Sequence, residues 1–214
     1  MREDRDMDIH PPMGRVESLK EFLTHILIVT IGILIALGLE GIRETWRDHV
    51  AVTEARESFL AELRVDQKQL AQDQEGVRQT NVQLDQILAA MPQLTKSPAE
   101  LEKRITALQP GFYFFRTTAW EAALSGGTVA HMSRNELDRF VDAYLGVKDY
   151  QEASHNTIPV WVEVETYFQS HHSFTPAEEA DAEQKLRNLK MGMLVLQHLG
   201  QEMSGGIEAA TKAE

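Results

Sequence analysis

Phe22–Leu39 reads FLTHILIVTIGILIALGL, eighteen residues without a formal charge between Glu21 and Glu40. At 1.5 Å of rise per residue, a helix of that length spans about 27 Å, close to the hydrocarbon thickness of a bilayer. A soluble helix this long carries a polar face, and Ile26–Leu39 has none. The stretch therefore predicts an all-α, single-pass membrane protein. Its expected parts are an N-terminal tail (1–21), a transmembrane helix (22–42), a long stalk helix (43–96), a helical bundle packing on the stalk (97–203) and a flexible tail (204–214).

A cleaved secretory signal is the rival reading, since Ala36-Leu37-Gly38 has the small-x-small form of a cleavage site. Against it, the apolar run exceeds a usual signal core, the segment before it is net acidic, and helical sequence continues beyond it without a break. Lys20 on one side, and Trp46 with Arg43 and Arg47 on the other, suit membrane boundaries. Arg15 and Lys20 stand against Arg43, Arg47 and Arg56, so positive charge alone does not orient the span. A short tail before an uncleaved anchor stays inside as a rule. The expected location is thus the bacterial inner membrane, with the soluble part in the periplasm. Within the span, Gly32, Ala36 and Gly38 form a small-residue face that lets two helices approach closely, which predicts a homo-oligomer in the lipid bilayer.

The net charge is −12, and residues 1–21 hold only Arg2, Arg5, Arg15 and Lys20 against six acidic side chains, so most of the excess lies beyond the span. An acidic domain without a basic stripe argues against nucleic acid as a partner. The chain has no cysteine. Disulfides, thiolate metal sites and cysteine nucleophiles are excluded by composition.

From Glu40 to Met91 there is no proline, and the only glycines are Gly41 and Gly76. Leu63, Leu70, Val77, Leu84 and Met91 recur every seventh residue and mark a coiled-coil-like packing seam. Its companion row is mixed: Phe59 and Ile87 are apolar, but Asp66, Asp73 and Thr80 are not. This predicts a narrow stripe packing on later helices or on a shallow oligomer seam, with Gln67–Gln86 mostly solvated. Ser97-Pro98-Ala99-Glu100, Ser133-Arg134-Asn135-Glu136 and Thr175-Pro176-Ala177-Glu178 each have the pattern of a capping box. They predict helices near 98–108, 134–170 and 176–203, the second kinked or broken at Pro159. A short helix is expected over Thr117–Leu124, stopped by Gly126-Gly127.

The V-T-I-G-I-L-I-A-L-G-L-E run of Val29–Glu40, with Trp46 and the charged helix to Arg64, resembles an uncharacterised family of bacterial single-pass membrane proteins with an I-G-I-L-I-A-L anchor. Thr118–Met132 is similar to that family's second element, a Trp-containing helix ending at glycine. The resemblance implies an anchored, largely helical protein and brings no activity or cofactor with it.

Chemistry-bearing patterns are sparse. No H-E-x-x-H, G-x-S-x-G or G-x-x-x-x-G-K occurs. Glu152 and His155 form a single E-x-x-H, where a helical di-iron site needs two such motifs and two further glutamates. These two are the only weak metal candidates, and no cofactor is expected. Trp120, Glu121 and His131 are the residues most suited to lining a pocket. The expected role is structural: a non-enzymatic, membrane-anchored scaffold presenting a surface to other envelope proteins. The alternatives are a ligand-sensing bundle signalling through the anchor and, third, a metal-dependent enzyme.

Overall fold

The computed structural model describes residues 19–212. Within them the chain is helical, with no strand among the described residues: α1 (Leu19–Leu94), α2 (Pro98–Thr106), α3 (Thr118–Ser125), a 3-10 turn (Thr128–His131), α4 (Arg134–Ser170) and α5 (Pro176–Thr211). The chain forms two compact units, one ending at Asp48 and the other beginning at His49. Most of the tail expected over 1–21 lies outside the described residues.

The first unit is the apolar start of α1. It contains a window long and apolar enough to cross a membrane, and none of that window is buried by the rest of the chain. Three polar side chains within the apolar stretch bond back to the helix itself. The Thr24 and Thr30 hydroxyls donate to the carbonyls of Lys20 and Ile26 at 2.8 Å, and His25 Nδ1 lies 2.8 Å from the Glu21 carbonyl. Back-bonding of this kind satisfies both threonine hydroxyls within the helix.

The second unit is built on residues 49–94 of α1. All five seam residues, Leu63, Leu70, Val77, Leu84 and Met91, are buried. So is the whole companion row, Phe59, Asp66, Asp73, Thr80 and Ile87. The stripe is therefore wider than its apolar residues suggest, and Gln67–Gln86 is solvated only on its outer side. From His49 on, α1 is one of three long helices sharing a core. α4 lies parallel to it, as Arg56 meets Glu136, Glu62 meets Tyr144 and Asp73 meets Tyr150. α5 turns back against both. A Cβ on Gly146 would lie 3.2 Å from Met203 Cα, and one on Gly206 3.4 Å from Ala143 Cα, so α4 and α5 pack nearly backbone to backbone there.

Two expectations about helix ends need correction. The break allowed for at Pro159 does not occur: α4 continues through it, with the proline exposed, where its ring clears the core and the unpaired carbonyl one turn earlier can be hydrated. The flexible tail expected from Ser204 is instead the last two turns of α5, because Met203, Ile207 and Ala210 are buried in the core. Of the three capping boxes only Thr175–Glu178 forms. At the other two starts the glutamate is taken by an arginine, Glu136 by Arg56 and Glu100 by Arg104.

A parallel α1–α4 pair requires the chain to travel back along the bundle between them. α2 starts that return, and the extended segment 107–117 completes it, running antiparallel along α1. Gly76 allows it close: a Cβ there would lie 3.3 Å from Gly111 N and 3.5 Å from the Gln109 carbonyl.

Candidate functional site

The densest polar chemistry of the second unit lies where α1, the return segment and α4 meet. Heptad spacing brings Asp66 and Asp73 to the buried side of α1, one turn from Glu62 and beside Gln74 respectively. The Arg116 backbone N–H donates to both carboxylate oxygens of Asp66 at 3.3 Å. The Ala119 N–H donates to Glu62 Oε2 at 3.2 Å, and the Tyr144 hydroxyl donates to Glu62 Oε1 at 2.9 Å. The Tyr150 hydroxyl donates to Asp73 and accepts from Gln74 Nε2, which also reaches the Leu196 carbonyl at 3.0 Å. Gln151 Nε2 donates to the Phe115 carbonyl at 2.6 Å. Acidic side chains of α1 and polar side chains of α4 thus hold a backbone segment that has no regular ladder of its own.

Burial dominates the electrostatics. It pushes the Asp66 carboxyl up to about 6, with Glu62 adding in the same direction and the Arg116 amide opposing. Burial likewise raises Asp73 to about 6, against the Tyr150 hydrogen bond. The Tyr144 and Tyr150 phenols are pushed up by burial and by the neighbouring carboxylates. Asp73 Oδ1 is buried without a hydrogen-bond partner and is backed by Gly111, where any Cβ would overlap it. Such a site can take up a proton near pH 6, but with Asp73 wholly enclosed it is built to hold chain rather than to meet a substrate.

Beside it lies a cleft of about 460 Å³ whose lining includes Trp120, Glu121, Leu124, Tyr144, Lys148 and Gln151. Trp120 stacks on Tyr144 (ring centroids 5.1 Å apart) and meets the edge of Phe59 at 5.5 Å. Glu121 accepts the Thr117 hydroxyl at 2.7 Å. Of the expected pocket trio, Trp120 and Glu121 come together and His131 does not line the cleft; it sits exposed at the end of the 3-10 turn. Tyr144, Lys148 and Gln151 were missed. Their spacing on α4 gives them one face, but only the parallel packing of α4 on α1 sets that face against Trp120.

Glu152 and His155 are both exposed on α4, and no group of three or more His, Asp or Glu that could hold a metal ion occurs among the described residues. Gly32, Ala36 and Gly38 lie on exposed helix in the first unit, with nothing within 4 Å of a Cβ built on either glycine.

No protein-family model, curated protein or solved structure matches this chain. Geometry alone carries the functional reading.

Proposed function

We propose that the chain is a membrane-anchored helical scaffold of the bacterial envelope, held in the inner membrane by residues 22–42, with its bundle in the periplasm. The observation that carries this is in the first unit: eighteen residues without a formal charge, none of them buried, with the Thr24 and Thr30 hydroxyls and His25 Nδ1 bonded back to their own helix. Such a surface is stable in lipid and unfavourable in water. The bundle needs no partner for its heptad seam, which is covered by α4 and α5. Self-association is therefore assigned to the anchor, through Gly32, Ala36 and Gly38.

The test is alkaline carbonate extraction of cell membranes, followed by cross-linking of the full chain. The protein is expected to stay with the membrane pellet and to cross-link as a homo-oligomer. The double substitution Gly32→Leu with Ala36→Leu should reduce the cross-linked fraction several-fold. Release into the carbonate supernatant would end the anchor reading; an unchanged oligomer would remove the small face from it. Orientation is read by protease added to spheroplasts, which should degrade the bundle.

A second reading, ligand sensing, draws support from the stacked Trp120–Tyr144 wall of the cleft beside Lys148 and Glu121. It requires a small aromatic or zwitterionic compound to change the fluorescence of Trp120, and Tyr144→Ala to abolish that change.

A further inference from the structure

The outer surface where α4 and α5 cross carries a groove of about 650 Å³. Its two walls differ. On α4, Asp149, Glu152 and Asn156 succeed one another; on α5, Met191, Val195 and Leu199 do. Residues 149–160 and 188–199 each cover three helical turns, so the groove runs about 16 Å along the hairpin. Met191 is 63 % exposed and Val195 43 %, apolar surface left open to solvent beside the groove. Gly192 forms part of the floor: a Cβ there would lie 2.8 Å from Thr157 Cγ2, so α5 comes close to α4 only because this position has no side chain. Among the described residues, neither Asp149 nor Glu152 is engaged in a hydrogen bond or an ion pair.

We infer that this groove docks a basic amphipathic helix of a partner protein, three to four turns long, with lysine or arginine along the α4 edge and apolar residues along the α5 edge. Length, the apolar wall and the unpaired acidic wall each match one property of such a helix. A second copy of this chain is disfavoured as occupant because it would bring the same acidic edge and a net charge of −12 to the contact. The inference deepens the scaffold reading by giving the presented surface a partner class, and it rests on that reading.

The experiment uses the full chain in phosphatidylcholine nanodiscs and a fluorescein-labelled synthetic helix of about four turns, leucine and lysine placed on opposite edges, with a twin in which glutamate replaces lysine. Anisotropy should show binding of the basic peptide at low salt and none of the acidic twin. Two variants separate the walls: Asp149→Lys with Glu152→Lys, and Met191→Gln with Val195→Gln. Each should weaken binding at least tenfold. Both change exposed positions, so the melting temperature should stay within a few degrees of the parent, which is checked by circular dichroism. Absence of binding, equal binding by either variant, or equal binding of the acidic twin overturns the inference. A change of oligomeric state in the glutamine variant also overturns it and assigns the groove to a second copy. Failure of the peptide to bind while the anchor-dependent oligomer persists removes the groove and spares the scaffold; failure of the parent to enter nanodiscs removes the scaffold itself.

Discussion

Asp66 and Asp73 are core residues that carry charge at neutral pH. Both titrate near 6 in the bundle, whereas an unfolded aspartate titrates near 3.8. The folded state therefore binds protons more tightly between those values. By linkage, the stability they lend is fully present below pH 4 and is lost as pH rises through 6. Glu136 and Glu178, both held below their ordinary range by hydrogen-bonded partners, act in the opposite sense at the acid end. The bundle should thus be most stable near pH 5 and lose about 1 kcal/mol or less per buried aspartate by pH 8, after allowance for solvent screening. Urea unfolding across that range checks this, and Asp73→Asn should flatten the slope. Gly111→Ala tests the same junction from the other side. Its methyl group would overlap Asp73 Oδ1, and a loss of about 1–3 kcal/mol is expected, read as a lower urea midpoint. These acids were visible in the sequence as interruptions of the heptad, yet their burial was not. What makes it tolerable is the Tyr150 hydroxyl from α4 on Asp73 and the Arg116 amide of the return segment on Asp66, 77 and 50 residues further along the chain.

At the scale of elements, helix starts were well legible and helix ends less so. Ser133 and Thr175 mark the starts of α4 and α5 to the residue, since serine or threonine before a helix is a local signal. Whether the box closes is a tertiary matter. Thr175 accepts from the Glu178 N–H while Glu178 reaches back, so Thr175→Ala should cost about 1 kcal/mol. Ser133→Ala and Ser97→Ala should be close to neutral, because neither side chain caps its helix. Thermal melts of the three variants make the comparison. The end of α5 escaped the sequence for the same physical reason. Gly205-Gly206 reads as a breaker, but Gly206 is where α5 crosses the backbone of α4 at Ala143, and closeness there outweighs the low helix propensity of glycine. Gly206→Leu should therefore destabilise the hairpin by about 1–3 kcal/mol even though leucine is the better helix former.

On the scale of the molecule, two units differ in what they do with apolar surface. Residues 22–39 of the first carry no formal charge and leave their apolar side chains exposed. The second hides a mixed apolar and acidic stripe under two later helices. The long apolar helix of the first was legible outright, because it shows in length and composition alone. The order of helices in the second was not, since the return along α1 depends on the glycine pair Gly76 and Gly111 meeting across the bundle. That order has a consequence during synthesis. Residues 49–94 emerge long before α4 and α5, with their seam bare and, by the anchor reading, beside other copies in the same membrane. At neutral pH an uncovered Asp66 and Asp73 are fully ionised in water, and two such seams set face to face repel each other. The same carboxylates that weaken the finished bundle keep its unfinished first helix from pairing with the wrong chain.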